Sequence, residues 1–224
     1  MNIPLDLSAQ NKFDNNIYES DLLPYMPKRY VIKFFYDFND DSSFHKEALN
    51  IIENARENDE IVLYFSSNGG SITTMLLFLN AINISSCKNI TARINLACSA
   101  AAFLALCCNN IYFDVGGMMM FHNYSTFQAG KENEISSRMT TVTKNIRNII
   151  TNACLKIMSA KEIEEMYNGK DFWFTADEAT KRLRKYTQLR KKKHIEEQKA
   201  KEDKAAEKVV KNLVKIKNKR NARK

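Results

Sequence analysis

The sequence predicts a mixed α/β domain with a basic tail, on three observations. Residues 60–125 alternate short apolar strands with turns and helical segments. From Ile135 to Ile157 apolar residues recur at steps of three and four, the mark of one long helix. The charge of the chain divides sharply near residue 180. With 224 residues and 44% hydrophobic content, the chain can bury one sizeable core and has little left for a second. The division expected is an N-terminal extension over 1–28, one globular domain over 29–184 and a charged tail over 185–224.

The elements follow in order. "RYVIKFFYDF" (Arg29 to Phe38) reads as a strand, and "SSFHKEALNIIENARENDE" as an amphipathic helix begun by Ser42 or Ser43. "EIVLYF" (Glu60 to Phe65) is a buried strand that runs into the turn "SSNGGSIT" and then the helical "TTMLLFLNAIN". "NITARINLA" repeats that theme, leading into the small-residue run "CSAAAFLALCC". Two further short strands, "NIYFDV" and "MMMFH", come next. After Gly130 lies the long helix carried by Ile135, Met139, Val142, Ile146, Ile149, Ala153 and Ile157. Ser159 with Glu162, and Thr175 with Glu178, have capping-box spacing and predict shorter helices. Asn168 and Gly169 form the turn between them, so turn and cap bracket "KDFWF".

Composition excludes several classes of function. The longest nearly unbroken apolar run, Leu96 to Cys108, is too short to span a bilayer, and no membrane contact is expected. The N-terminal stretch has no basic start followed by an apolar segment, so a cytoplasmic location is expected. Five cysteines without a CxxC pair fit a reducing compartment, with Cys107 and Cys108 as small buried residues, and predict no metal and no disulfide framework. Residues 181–224 hold 19 Lys/Arg against 5 Asp/Glu, whereas residues 1–180 hold 15 against 21. The net charge of +8 therefore belongs to the tail. Its Ala, Glu and Lys content reads as a solvated helix fraying to disorder, the one part of the chain suited to nucleic acid or an acidic protein.

Ser99 falls where a strand ends and a helix of small residues begins, a junction that exposes a hydroxyl. The free N–H groups of that helix start, Ala100 first, suit an oxyanion. Gly69 and Gly70 follow the preceding strand, where backbone without side chains offers a second donor. His122, at the lip of "MMMF", suits a general base provided that a carboxylate orients its ring. Asp171 and Asp114 are the candidate orienters, with Asn123 as another fallback. A greasy strand holds such an imidazole away from bulk water while one edge stays open. Methionines 118–120 read as core or as a wall facing substrate, and Phe172 and Trp173 as packing.

"IVLYFSSNGGSITTMLLFLNAI", "ACSAAAF", "MMMFHNYSTF" and "KDFWFTADEA", in this order and spacing, resemble the proteolytic subunit of Clp-type serine proteases. The likeness covers roughly residues 30 to 180. "FHNYSTFQAG" with the acidic stretch after it, and "FWFTADEA", look most like the phage branch, the head maturation proteases. The resemblance implies a crotonase-like β-α spiral with a protruding handle helix from about Glu132. It makes Ser99 the nucleophile, His122 the base, Asp171 the third triad member, and the Gly70 and Ala100 amides the oxyanion hole. Gly69, Ser71 and Asn123 become substrate-binding positions, and no cofactor is needed. The implied partners are polypeptide substrate, further copies in a ring or stacked rings (heptameric in bacterial Clp), and an AAA+ unfoldase or phage capsid and scaffold chains.

The chain departs from the family pattern at Asn68, where Pro is usual before the glycine pair, at Asn95 in place of Gly, and at Ala100 in place of Met or Ser. The Tyr-Gly that commonly ends the helix after "TAxEA" is replaced around Arg182 and Leu183. The first thirty residues show no match to the segment that engages an unfoldase. Two rival functions follow: an assembly subunit of the same fold without turnover, and a crotonase-fold acyl-CoA enzyme whose paired amides hold a thioester oxyanion.

Overall fold

A computed structural model of the chain describes residues 17–19, 26–39, 43–124 and 132–221. The "STFQAG" part of the phage-like motif lies outside these residues, as do most of the N-terminal extension and the side chains of Ile135, Met139 and Val142. The fold falls into two units, Met1–Thr180 and Lys181–Lys224.

Among the described residues of the first unit, six strands lie side by side in the order of the sequence: β1 (Ile17–Glu19), β2 (Arg29–Phe34), β3 (Glu60–Ser67), β4 (Asn89–Cys98), β5 (Asn110–Phe121) and β6 (Phe172–Thr175). β2 to β5 are mutually parallel, and the two outer strands pair antiparallel. Parallel neighbours require crossovers. α1 (Ser43–Asn54), α2 (Ile72–Ile84) and α3 (Ala100–Cys107) supply them. Because every crossover advances in the same direction, right-handed connections carry all three helices to one face of the sheet. α1 packs on α2, α2 on α3, and α3 on α4 (Glu132–Cys154).

The strand sequences direct this layering. Ile32, Leu63 and Ala92 form one buried row across the sheet, and Phe34, Phe65 and Ile94 another. Against them lie Ala48 and Ile52 of α1, Met75, Phe78 and Ala81 of α2, and residues 100–106 of α3, all buried. Phe34 is the hub, stacked on Phe65 at 5.1 Å and edge-on to Phe78 at 5.0 Å. His45 stands edge-on to Phe78 at 5.6 Å and to Phe38 at 6.2 Å, so it is a packing histidine. On the opposite face Lys33, Tyr64, Arg93 and Tyr112 pair in a row with no such burial.

Several elements differ in extent from the sequence reading. The first core strand stops at Phe34, and Phe38 makes only a single bridge, to Gly70. The two short strands expected around "NIYFDV" and "MMMFH" are one strand, β5. Ile94 faces Phe113 and Leu96 faces Met118, so residues 114–117 bulge opposite Asn95. "KDFWF" contains a strand, β6, paired with residues 118–121. The long helix ends at Cys154, with Ile157 buried beyond it. Ser159 makes a full capping box with Glu162 at the start of α5 (Ala160–Tyr167). Thr175 accepts from the Glu178 N–H at 3.4 Å where α6 (Ala176–Asn221) begins. The segment read as fraying to disorder is helical through Asn221. No helix among the described residues is long and apolar enough to cross a membrane.

Candidate active site

Ser99 occupies the junction between β4 and α3. Its φ of 53° is the one positive value at a non-glycine residue among those described, a conformation that costs an L-residue of the order of 1–3 kcal/mol. Two backbone bonds over-determine it. The Ser99 N–H donates to the Met120 carbonyl at 2.9 Å, and its own carbonyl accepts from Phe103 at 3.1 Å. Its side chain makes no capping bond, so the hydroxyl is left for other work. α3 is held at its far end, where the Lys156 ammonium donates to the Leu106 carbonyl and complements the helix dipole.

Gly69 lies directly against this junction. A Cβ built on it would meet the Cys98 carbonyl at 2.5 Å, the Ala100 nitrogen at 2.9 Å and the Ser99 Cβ at 2.9 Å. Gly70, at φ 124°, has the Phe38 backbone equally close on its other side. Phe38 donates to the Gly69 carbonyl and accepts from the Ser71 N–H, which uses that edge of the segment. Parallel pairing of this kind leaves the Gly70 N–H directed to the opposite edge, the side on which β4 lies. Neither that N–H nor the Ala100 N–H has a partner among the described residues. Two amides without a partner among the described residues thus lie on the two segments that meet at the Ser99 junction.

The base and acid candidates come from the sheet register. Cys98 pairs with Met120, Met120 with Trp173, and Phe121 with Phe172. One step further along the same ladder are His122 and Asp171, so Ser99, His122 and Asp171 share one end of three adjacent strands. His122 is half-buried and Asp171 exposed. No hydrogen bond or ion pair joins the three side chains in this structure. The greasy strand before His122 fixes its place: Met119 and Phe121 are fully buried, and the Phe121 ring packs on Phe103 at 5.6 Å and Phe174 at 5.8 Å. Met120 is half-buried, Met118 is exposed, and Trp173, expected to pack, is 54% exposed beside this end of the sheet.

The other candidates are engaged elsewhere. Asp114 is not beside His122, because it sits in the bulge of β5 and pairs with Arg93 at 2.7 Å. Burial opposes ionisation of its carboxyl, but hydrogen bonds from Arg93 and Tyr64 outweigh that and hold it below the usual value. Ser71 is the N-cap of α2 and accepts from Thr74 at 3.2 Å. The Asn123 amide donates to the Tyr167 carbonyl at 3.1 Å. Cys98, next to Ser99, is buried, and desolvation with the nearby Asp37 charge raises its thiol. Cys108 is buried and Cys107 partly so.

Phe38 and Tyr167 escaped the sequence reading. Phe38 frames the glycine pair through its backbone alone, which leaves no residue-type signal. A Clp protease family model matches residues 26–183, a span that contains Ser99, His122, Asp171 and the glycine pair. No curated protein matches the chain. The parallel sheet, the β4–α3 junction and a family match over more than half of the sequence agree: the chain belongs to the Clp protease family, a family of serine peptidases.

Proposed function

We propose that the chain is a serine endopeptidase of the phage head maturation type, with Ser99, His122 and Asp171 as its triad, residues 29–184 as its peptidase domain and residues 185–224 as an accessory tail. The observation that carries this reading is the Ser99 junction, a strained serine backbone pressed against Gly69 with two unpartnered amides beside it. Ser99 Oγ attacks the scissile carbonyl while His122 takes its proton. The Gly70 and Ala100 amides receive the negative charge. His122 then delivers the proton to the leaving amine, and water, activated by the same imidazole, releases the acyl group. Asp171 orients the ring and stabilises its cationic form. The hydrogen bonds among the three side chains form as substrate seats, a tightening usual for catalytic groups.

The substrate is polypeptide, held along Gly69 to Ser71 and beside Asn123, and no cofactor takes part. α4 serves as the handle through which copies stack into a ring, and capsid or scaffold chains are the natural substrates in the host cytoplasm. Turnover of an unfolded polypeptide by the purified chain, compared with Ser99→Ala and Asp171→Asn, tests this. Loss of about 10⁴-fold or more in kcat for Ser99→Ala is expected from serine-triad precedent. A second reading, an assembly subunit without turnover, draws on the open triad geometry and predicts correct assembly with no hydrolysis by any of the three proteins.

A further inference from the structure

One residue outside the triad joins the His122 strand end, the Asp171 strand start and α4. The chain of contacts begins at Asn123, whose amide donates to the Tyr167 carbonyl at 3.1 Å. Tyr167 ends α5, and only the turn Asn168 to Lys170 separates it from Asp171. That turn is tied back to α5, since Gly169 donates to Met166 and Lys170 to Glu165 through the backbone, and the Lys170 ammonium meets the Glu165 carboxylate at 2.6 Å. The Tyr167 hydroxyl is in turn fixed on α4. It lies 3.1 Å from the Thr151 hydroxyl and donates to the Arg147 carbonyl at 3.1 Å, while the Arg147 guanidinium covers its ring at 4.6 Å. The backbone of Tyr167 therefore anchors the neighbour of His122 and the turn into Asp171, while its side chain takes its place from α4.

We propose that Tyr167 is a positioning residue for the base: it sets the separation of His122 from Asp171 according to where α4 lies. This rests on the reading of Ser99 and His122 as nucleophile and base. The ladder bonds end at Phe121 and Phe172, and beyond them the Asn123–Tyr167 bond links the two chain ends among the described residues. Tyr167→Phe keeps the ring, with the Arg147 guanidinium over it, but removes the hydroxyl contacts to Thr151 and the Arg147 carbonyl.

The test is the rate at which Ser99 is acylated by a fluorogenic peptide ester, with kcat and KM resolved, in the full-length wild type, Tyr167→Phe and Asn123→Ala. Ser159→Ala is the control, because it weakens the other end of α5 without touching this network. Misplacement of the base lowers kcat by about tenfold to a hundredfold in Tyr167→Phe and Asn123→Ala, with KM unchanged for Tyr167→Phe and raised for Asn123→Ala, whose side chain also lies beside the substrate, while Ser159→Ala keeps wild-type kcat. Wild-type kcat in a folded Tyr167→Phe overturns the positioning role alone. A loss of kcat in Ser159→Ala equal to that in Tyr167→Phe also overturns it, because α5 stability would then explain the effect. A wild type that never acylates overturns the peptidase reading, and the positioning role falls with it.

Discussion

At the scale of single residues, Ser99 and Gly69 set opposite constraints on the same few atoms. Ser99 holds a positive φ that glycine adopts without strain. Ser99→Gly is therefore expected to raise the unfolding free energy by about 1 kcal/mol while abolishing hydrolysis, a trade of stability against activity readable by urea denaturation beside a peptide assay. Gly69→Ala adds a clash with the Cys98 carbonyl to its φ of 101°. Gly116, at φ 76°, has nothing within 4 Å of a built Cβ, so Gly116→Ala isolates the conformational strain. The expected costs are about 1–2 kcal/mol at Gly116 and more at Gly69, where activity also disappears. Equal costs at the two positions would show that the close approach of Gly69 to the Ser99 junction is not what selects glycine there.

At the scale of elements, the parallel strands were legible because each is an apolar, β-branched run bounded by turn residues, and α5 because its cap reads directly from Ser159 and Glu162. Removing that cap with Ser159→Ala should cost about 1 kcal/mol, seen as a lower urea midpoint with unchanged slope. β6 was not legible. Its four residues carry no periodicity of their own, and what makes them a strand is the edge offered by residues 118–121, which only the fold supplies. The union of the two β5 segments was hidden for a related reason: Gly116 and Gly117 look like a turn, yet the partner strand carries the ladder past them. Of the site, the Ser99 junction and the glycine pair follow from strand-to-helix punctuation. The choice of Asp171 over Asp114 as neighbour to His122 does not follow from spacing, and in the sequence it rests on the family resemblance alone, because physically it depends on register and on the Arg93 partner of Asp114. That partner gives Asp114 a pH signature. Its carboxyl titrates lower in the folded than in the unfolded chain, so its stabilisation is present above the unfolded value and is lost as pH falls through the folded one. Asp114→Asn should cost under ~1 kcal/mol at pH 7, because the pair is partly exposed, and the difference from wild type should shrink in denaturation series taken to progressively lower pH below the unfolded value.

At the scale of the whole molecule, the chain carries its basic charge apart from its chemistry. Between Lys181 and Lys193 there are eight Lys/Arg and no Asp/Glu, along a helix whose side chains are largely exposed. Leu183, Leu189 and Ile195 do not share one helical face, so this segment is better suited to polyanion contact than to insertion at a lipid surface. Replacement of Arg190, Lys191, Lys192 and Lys193 by Gln should lower the salt needed to elute the protein from heparin and leave peptide hydrolysis unchanged. Unchanged elution would assign those charges to solvation alone. The peptidase account itself stands or falls at Ser99. The most direct test is intact mass and peptide mapping after exposure of the purified protein to a fluorophosphonate, beside Ser99→Ala and His122→Ala. The account predicts a single adduct on Ser99, absent from Ser99→Ala and much slower to form in His122→Ala. An assembled, folded protein that takes no adduct, or takes it elsewhere, would contradict it.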